Sequence, residues 1–401
     1  MARPIDLPEG ARFSCQSCGR CCQGWRIPVD QTTVDRLRAH DWGADPFEPA
    51  RAPGEPYRIK LVRGRCFFLD QENRCRIHTE LSYEAKPAVC RAFPLTVLEV
   101  AGQRYARLSF WCPTVTANSG KPLTHQSRWL NETAKHADRR KAPLLINETT
   151  EIAPRDFERV HHVLRRFLLE TSLPVSDRLA AAAALIRRLD SAAENADKKN
   201  TAASVDGIVR SAELDGAAAL AQETRRRGRP SDGRQVLSLY VLQDSRDGRF
   251  AAVAHFLSVL MFNLGIGRLR LHAVPARASW RQLRRVVFVP SAVSADLLTR
   301  YFCSKLDSRR YVAGEATLVT GVNTLVAAYG MINLLARMKA ASDGRVACDV
   351  ADVQSAVSAA DLLVVEHHGP DRGRVHVRLT QVALGNPDLC ADLLACLDAG
   401  Q

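Results

Sequence analysis

Four cysteines stand within eight residues near the start of the chain, in Cys15-Gln16-Ser17-Cys18-Gly19-Arg20-Cys21-Cys22. Thiolates are soft ligands, and two-residue gaps let successive sulfurs turn toward one ion or cluster. Gly19 removes a side chain where the backbone must turn tightly. Arg20 and Arg26 are placed to offset the negative charge of several thiolates. The adjacent Cys21 and Cys22 side chains are expected to diverge, so that one of them serves a second site or a bridging position. Cys66, Cys75, Cys90 and Cys112 follow at wider spacing, each beside aromatic or aliphatic residues that can exclude water.

Buried free cysteines are common core residues, but their distribution here is uneven. Eight of the twelve lie between Cys15 and Cys112, and Cys303, Cys348, Cys390 and Cys396 are scattered through the last hundred residues. The opening Met1-Ala2-Arg3-Pro4-Ile5-Asp6 shows no apolar run of a secretory signal, so the expected compartment is the cytoplasm, where thiols stay reduced. A dense thiol group in a reducing compartment is expected to bind metal rather than form disulfides. The eight early cysteines are therefore the expected metal ligands. Softness suits both zinc and iron–sulfur chemistry, and eight thiols can furnish one four-cysteine site with spares, or two sites.

The elements that must position these residues differ along the chain. Residues 1–125 carry recurrent Pro and Gly and short apolar runs, as expected of a small domain in which metal substitutes for a large core. Short helices are predicted at Thr32–His40 and Ser82–Ala92, and a hairpin over Val97–Phe110 turning at Ala101-Gly102-Gln103. From 126 to 190 the apolar period becomes helical: Phe157, Val160, Leu164 and Phe167 follow Pro154, and a second helix runs over Ser176–Leu189 with Ser176 as its N-cap. Residues 191–234 read as a weak surface helix plus a linker ending at Gly228-Arg229-Pro230-Ser231-Asp232-Gly233. Residues 235–401 return to helix over Arg249–Leu264, Asp296–Leu306, Thr317–Met338 and Asp352–Glu366, with Val286–Val289 a buried apolar run of unassigned type. The expected fold class is mainly α: an irregular N-terminal cysteine-cluster domain with short strands, then a helical C-terminal body. Ala316–Ala336 is uncharged and long enough to span a bilayer, but Thr317, Thr320, Asn323, Thr324 and Asn333 within it favour a buried core helix, so no membrane span is expected.

The run Cys-x2-Cys-Gly-x-Cys-Cys, with Cys66-Phe67-Phe68-Leu69, Cys75-Arg76-Ile77-His78 and Pro87-Ala88-Val89-Cys90-Arg91-Ala92-Phe93-Pro94, resembles the YkgJ-type zinc- or iron-chelating family, also called CxxCxxCC. Cys21 to Thr32 resembles the flagellin lysine-N-methylase branch in particular, and Arg300 to Tyr311 and Asn323 to Arg337 are similar to its C-terminal half. The resemblance implies an iron–sulfur cluster, [4Fe–4S] favoured, or zinc, and methyl transfer from S-adenosylmethionine to lysines of a protein such as flagellin. Two other classes stay open: a non-catalytic zinc- or iron-binding module, and a redox or electron-transfer protein. The residues themselves name no catalytic group and no S-adenosylmethionine site. Gly265-Ile266-Gly267 lacks the third glycine of a dinucleotide fingerprint, and the Cys-x3-Cys-x2-Cys spacing of radical enzymes is absent.

The formal charge is +13, which attracts nucleic acid, anionic lipid or acidic protein without choosing among them. Arg227-Gly228-Arg229-Pro230 resembles the core of an AT-hook, but the same residues suit a helix C-terminus running into a turn, and nucleic acid is not the expected partner. His161-His162 and His367-His368 lack the i, i+4 spacing of a helical metal pair. His78, inside the cysteine motif, is a candidate ligand or a hydrogen-bond donor behind one.

Overall fold

The computed structural model describes residues 4–23, 27–52, 55–195, 201–242, 249–271, 273–366, 383–386 and 388–398. Short strands are concentrated in the first 140 residues and helices fill the rest, the mainly α arrangement expected. The His367-His368 pair and Arg26 lie outside the described residues.

The predicted hairpin forms: Leu95–Val100 pairs antiparallel with Gln103–Leu108, in a register that sets Leu98 opposite Tyr105 and Val100 opposite Gln103. Its two-residue turn puts Ala101 at φ 48° and Gly102 at φ 80°, the left-handed pair that matches the twist of the strands. Ile5–Asp6 and Asp138–Arg139 flank it to complete a four-stranded sheet. A separate three-stranded sheet orders Pro28–Val29, Glu55–Ile59 and Phe47–Ala52. Helix α1 (Gln31–Arg38) follows it, capped by the Asp30 carboxylate, which accepts from Thr33 N–H at 2.6 Å.

Three local expectations are corrected. Helix α2 spans only Ala88–Ala92, because Pro87 cannot supply a backbone N–H and disfavours helix before it. Helix α6 (Val175–Asn195) begins before Ser176, so Ser176 is inside the helix rather than capping it. The Ala-rich stretch read as a weak surface helix and linker is helix α7 (Thr201–Arg225), bent at Gly216 where φ is 76°. Its Val205, Val209, Ala212 and Leu220 are buried with Leu179, Ala183 and Ile186 of α6 in one core. Small alanines let the two helices approach, so low aromatic content here marks close packing rather than a linker.

The glycines expected to end that linker do the same. Helix α8 (Pro230–Val241) lies against the last helix, α14 (Leu389–Asp398). A Cβ on Gly228 would stand 2.1 Å from Ala391 O, and one on Gly233 would stand 2.3 Å from Asp392 O.

The buried apolar side chains form two clusters. The larger joins the hairpin and Phe110–Val115 to the helical body, including α5 (Pro154–Leu168), α11 (Ala292–Asp307), α12 (Leu318–Ser342) and α13 (Val350–Ala360). Helix α12 is the long apolar helix, buried over most of its length and capped at Thr317, whose Oγ1 accepts from Thr320 N–H at 3.1 Å. The Val286–Val289 run proves to be extended: Val286 and Phe288 are buried, while Val287 and Val289 face outward. The smaller cluster gathers Ile27, Val34, Leu37, Trp42, Phe47, Ile59, Phe68 and Ile77, and it is against this second core that several cysteines pack.

Candidate metal centre

The first cysteine loop is shaped by its backbone. Ser17 and Gly19 both take positive φ, 53° and 67°, and a Cβ at Gly19 would come within 3.0 Å of the Asn73 side chain. A 3-10 turn follows at Arg20–Cys22, with Cys22 N–H donating to Gly19 O at 3.0 Å. That turn corrects the expectation that Cys21 and Cys22 diverge: their sulfurs lie 3.9 Å apart. Neighbouring side chains point to opposite faces in a strand, but in a tight turn they need not. Gln23 then bridges to Arg65, tying the loop to the small hairpin of Leu61–Val62 and Arg65–Cys66 that carries Cys66.

Cys75 is presented by a turn that Asp70 organises. Its carboxylate accepts from Arg74 N–H at 2.7 Å and from Arg74 Nε at 3.1 Å, while Arg65 donates to Asn73 Oδ1 at 3.0 Å. Leu69 and Cys75 close the turn as a bridge. Cys90 sits on α2, whose end is fastened by Arg91 O. That carbonyl accepts from Tyr83 Oη and from Trp129 Nε1, each at 2.9 Å.

Cys66 is buried in the smaller core, and Cys22, Cys75 and Cys90 pack on it. The 3.9 Å contact with the Cys22 sulfur puts Cys21 with them. Burial pushes the Cys66 thiol up to about 11, Cys75 and Cys21 adding to the effect and Lys86 opposing it. Cys90 is raised well above the ordinary thiol range, first by burial, then by Cys66, Cys75 and Cys21 against the pull of Lys86. Cys21 is raised first by its contact with Cys22 and then by burial. Lys86 reads the same field from the other side. Burial works against its ammonium, yet the charges of Cys75 and Cys90 lift its pKa overall. Cys21, Cys66, Cys75 and Cys90 thus share the field of one lysine, and Cys22 stands beside Cys21. Cys21, Cys66 and Cys90 would sit protonated without a countercharge, and a soft cation would displace those protons.

The remaining three lie at the margin. Cys15 and Cys18 are exposed. Cys112 is buried in the larger core at the N-terminus of α3 (Pro113–Thr116). Burial raises its thiol, the Val115 and Thr114 amides pull it down, and the charge of Cys18 reaches it. His78 is exposed, with its ring edge on Tyr83 at 5.6 Å and its N–H donating to Cys75 O at 2.9 Å. Among the described residues no three Cys, His, Asp or Glu side chains converge on a single-ion position. The donor set still fits a thiophilic metal or cluster. Its thiols are soft and share one buried face, and Arg20 Nε is a buried donor with no acceptor among the described residues. Sequence reasoning missed Lys86, whose signal was its place in the Lys86-Pro87-Ala88-Val89-Cys90 motif.

Residues 14–130 match a family described as "CxxCxxCC: Putative zinc- or iron-chelating domain", a span that takes in all eight early cysteines. The flagellar biosynthetic protein FliU of Salmonella muenchen is 30% identical over 117 residues, which are 26% of this chain and 69% of that protein. The chain belongs to the CxxCxxCC family. Other relatives match a smaller share of their own length. An uncharacterized protein of Methanocaldococcus jannaschii is 34% identical over 93 residues, 22% of this chain and 32% of its own. The lysine-N-methylase of Salmonella typhimurium is 28% identical over 123 residues, 26% of this chain and 29% of its own. The chain thus spans about a third of these two relatives. No solved structure matches it. In this CxxCxxCC protein the shared zinc- or iron-chelating segment coincides with the part of the fold that gathers the thiols.

Proposed function

We propose that this protein is an iron–sulfur lysine N-methylase that transfers the methyl group of S-adenosylmethionine to lysines of a protein substrate, flagellin being the first candidate. The observation that carries the reading is the gathering of Cys22, Cys66, Cys75 and Cys90 on one small core, with the Cys21 sulfur 3.9 Å from that of Cys22, in a chain of which 26% is related to a lysine-N-methylase. Cys22 stands beside Cys21 as a fifth donor, and Cys15, Cys18 and Cys112 flank the group. A bound cluster would supply one-electron chemistry tuned by charge and burial. The chain's own part is to supply the thiolates, neutralise them with the Lys86 ammonium and the Arg20 guanidinium, and keep water out with the apolar wall around Phe68. The substrate lysine must be uncharged to attack the methyl group, so the rate is expected to rise with pH toward the amine pKa.

A second reading is a zinc-binding module without catalysis. The observation favouring it is the 3.9 Å separation of the Cys21 and Cys22 sulfurs, close to the roughly 3.8 Å edge of a zinc tetrahedron with sulfurs ~2.3 Å from the metal. Against it, the other thiols share the buried face without closing on one ion, which suits a larger cluster. Calorimetry with S-adenosylmethionine on metal-loaded protein separates the readings. Saturable binding together with methylated lysines on flagellin supports the methylase. No heat of binding from fully loaded protein leaves the zinc module.

A further inference from the structure

Helix α9 (Arg249–Asn263) turns the wrong side outward for a soluble fold. His255, Val259 and Phe262 are buried, as they should be. Val253, Phe256, Leu257, Leu260 and Met261 are 41–59% exposed, and Leu264 and Ile266 just beyond are 65% and 54% exposed. Positions 253, 256, 257, 260 and 264 fall on one face at helical spacing. The apolar stretch Val253–Asn263 is far too short to cross a bilayer. It is instead the length and shape of a helix that lies along a surface with its inner side fastened to the fold.

The charge that follows it in the chain has one sign. From Arg249 to Ala295 the chain carries seven arginines and neither Asp nor Glu. Arg268, Arg270, Arg277, Arg281, Arg284 and Arg285 are exposed. Arg270 and Arg277 face each other directly across the two-stranded ribbon Leu269–Leu271 and Ala276–Ala278, which contacts α9. Like charges at opposed positions weaken a ribbon, and among the described residues neither arginine has an ion pair that would offset the cost. Protein interfaces usually match charge of both signs across a polar rim. An apolar stripe followed in the chain by six arginines and no carboxylate as far as Ala295 matches a negatively charged, apolar-cored surface.

From this juxtaposition we propose that α9 and the ribbon Leu269–Ala278 seat on the surface of a bilayer containing anionic phospholipid, α9 entering the headgroup–acyl boundary and the arginines contacting lipid phosphates. The protein is then peripheral, held by one face, with α12 remaining its buried core helix.

The test is co-sedimentation of the full-length protein with vesicles of phosphatidylcholine alone and of phosphatidylcholine mixed with phosphatidylglycerol. The proposal expects binding to the mixed vesicles, at least tenfold weaker binding to the neutral ones, and loss of binding as salt rises. Leu260→Asp and the pair Arg270→Glu/Arg277→Glu should each reduce binding about tenfold, while metal content and helical circular dichroism stay as in the wild type. Equal binding to both vesicles, no binding, or variants that bind like the wild type would overturn it. Concentration-dependent self-association, or capture of an acidic amphipathic peptide, abolished by Leu260→Asp with no vesicle binding would reassign the face to a protein partner.

Discussion

At the scale of single residues, the thiols divide by environment more sharply than by sequence position. Cys66 and Cys90 are held on one buried face with Cys21, Cys75 and Lys86, whereas Cys303 and Cys396 are enclosed by the helical body. Replacing Cys66 or Cys90 by Ser is expected to remove most of the metal and lower the melting temperature, because metal-binding energy in such a site is folding energy. Cys303→Ser and Cys396→Ser should leave the metal-to-protein ratio unchanged; elemental analysis of the four variants reads the difference. A second residue has a pH signature. Burial, aided by Arg309 and Arg165, drives the His161 pKa down to about 2, and its neutral ring takes Arg309 Nη1 at 3.0 Å from Nδ1 and 2.5 Å from Nε2. The unfolded state therefore takes up the proton first. The stabilising contribution is complete above about pH 6.5 and is lost as pH falls from there toward 2. The unfolding free energy from denaturant titrations should drop between pH 6.5 and 4.5 in the wild type, by up to about 1.4 kcal/mol per pH unit from this group. His161→Gln, which keeps the acceptor for Arg309, should flatten that slope.

Elements with a strong period were legible in the sequence. Pro154 at the helix start and the 3–4 spacing of Phe157 to Phe167 gave α5, and the strand-like runs Val97–Val100 and Tyr105–Leu108 on either side of Ala101-Gly102-Gln103 gave the hairpin. The α6–α7 pair was not legible, because alanines at a close contact look like a linker when the partner helix is unknown. The two glycine types in the helices show the distinction. Gly321 in α12 faces Tyr311 so closely that a Cβ would lie 2.1 Å from the Tyr311 carbonyl oxygen, while Gly207 in α7 has nothing within 4 Å. Gly321→Ala is expected to cost about 1–3 kcal/mol by overpacking. Gly207→Ala should gain roughly 0.5–1 kcal/mol from helix propensity. Urea titrations of the two variants should thus shift in opposite directions. The candidate centre was legible as a cysteine motif, but its Lys86 and the contact between Cys21 and Cys22 depend on turns that no local pattern specified.

Across the whole molecule, the cysteine region and the helices are joined by a buried charge pair. Lys305 of α11 and Asp361, at the end of α13, are both fully buried with Nζ and Oδ1 2.6 Å apart. Lys305 also donates to Leu108 O at 3.1 Å, and Asp361 Oδ2 accepts from Phe110 N–H at 2.7 Å. The pair therefore clamps the strand that leads into Cys112. Asp361→Ala should cost about 3–5 kcal/mol, since it strands a buried ammonium. The double replacement Lys305→Met/Asp361→Leu should recover most of that loss, as measured by chemical denaturation. The hairpin held by this clamp is part of the larger core.

The account stands on the identity of what the thiols hold. Protein isolated without oxygen, then assayed for iron, acid-labile sulfide and zinc alongside its optical spectrum, tests that directly. The account predicts iron and sulfide in comparable amounts with visible sulfur-to-iron absorption, all lost in Cys66→Ser. Stoichiometric zinc without sulfide, or protein that binds no metal, would contradict it.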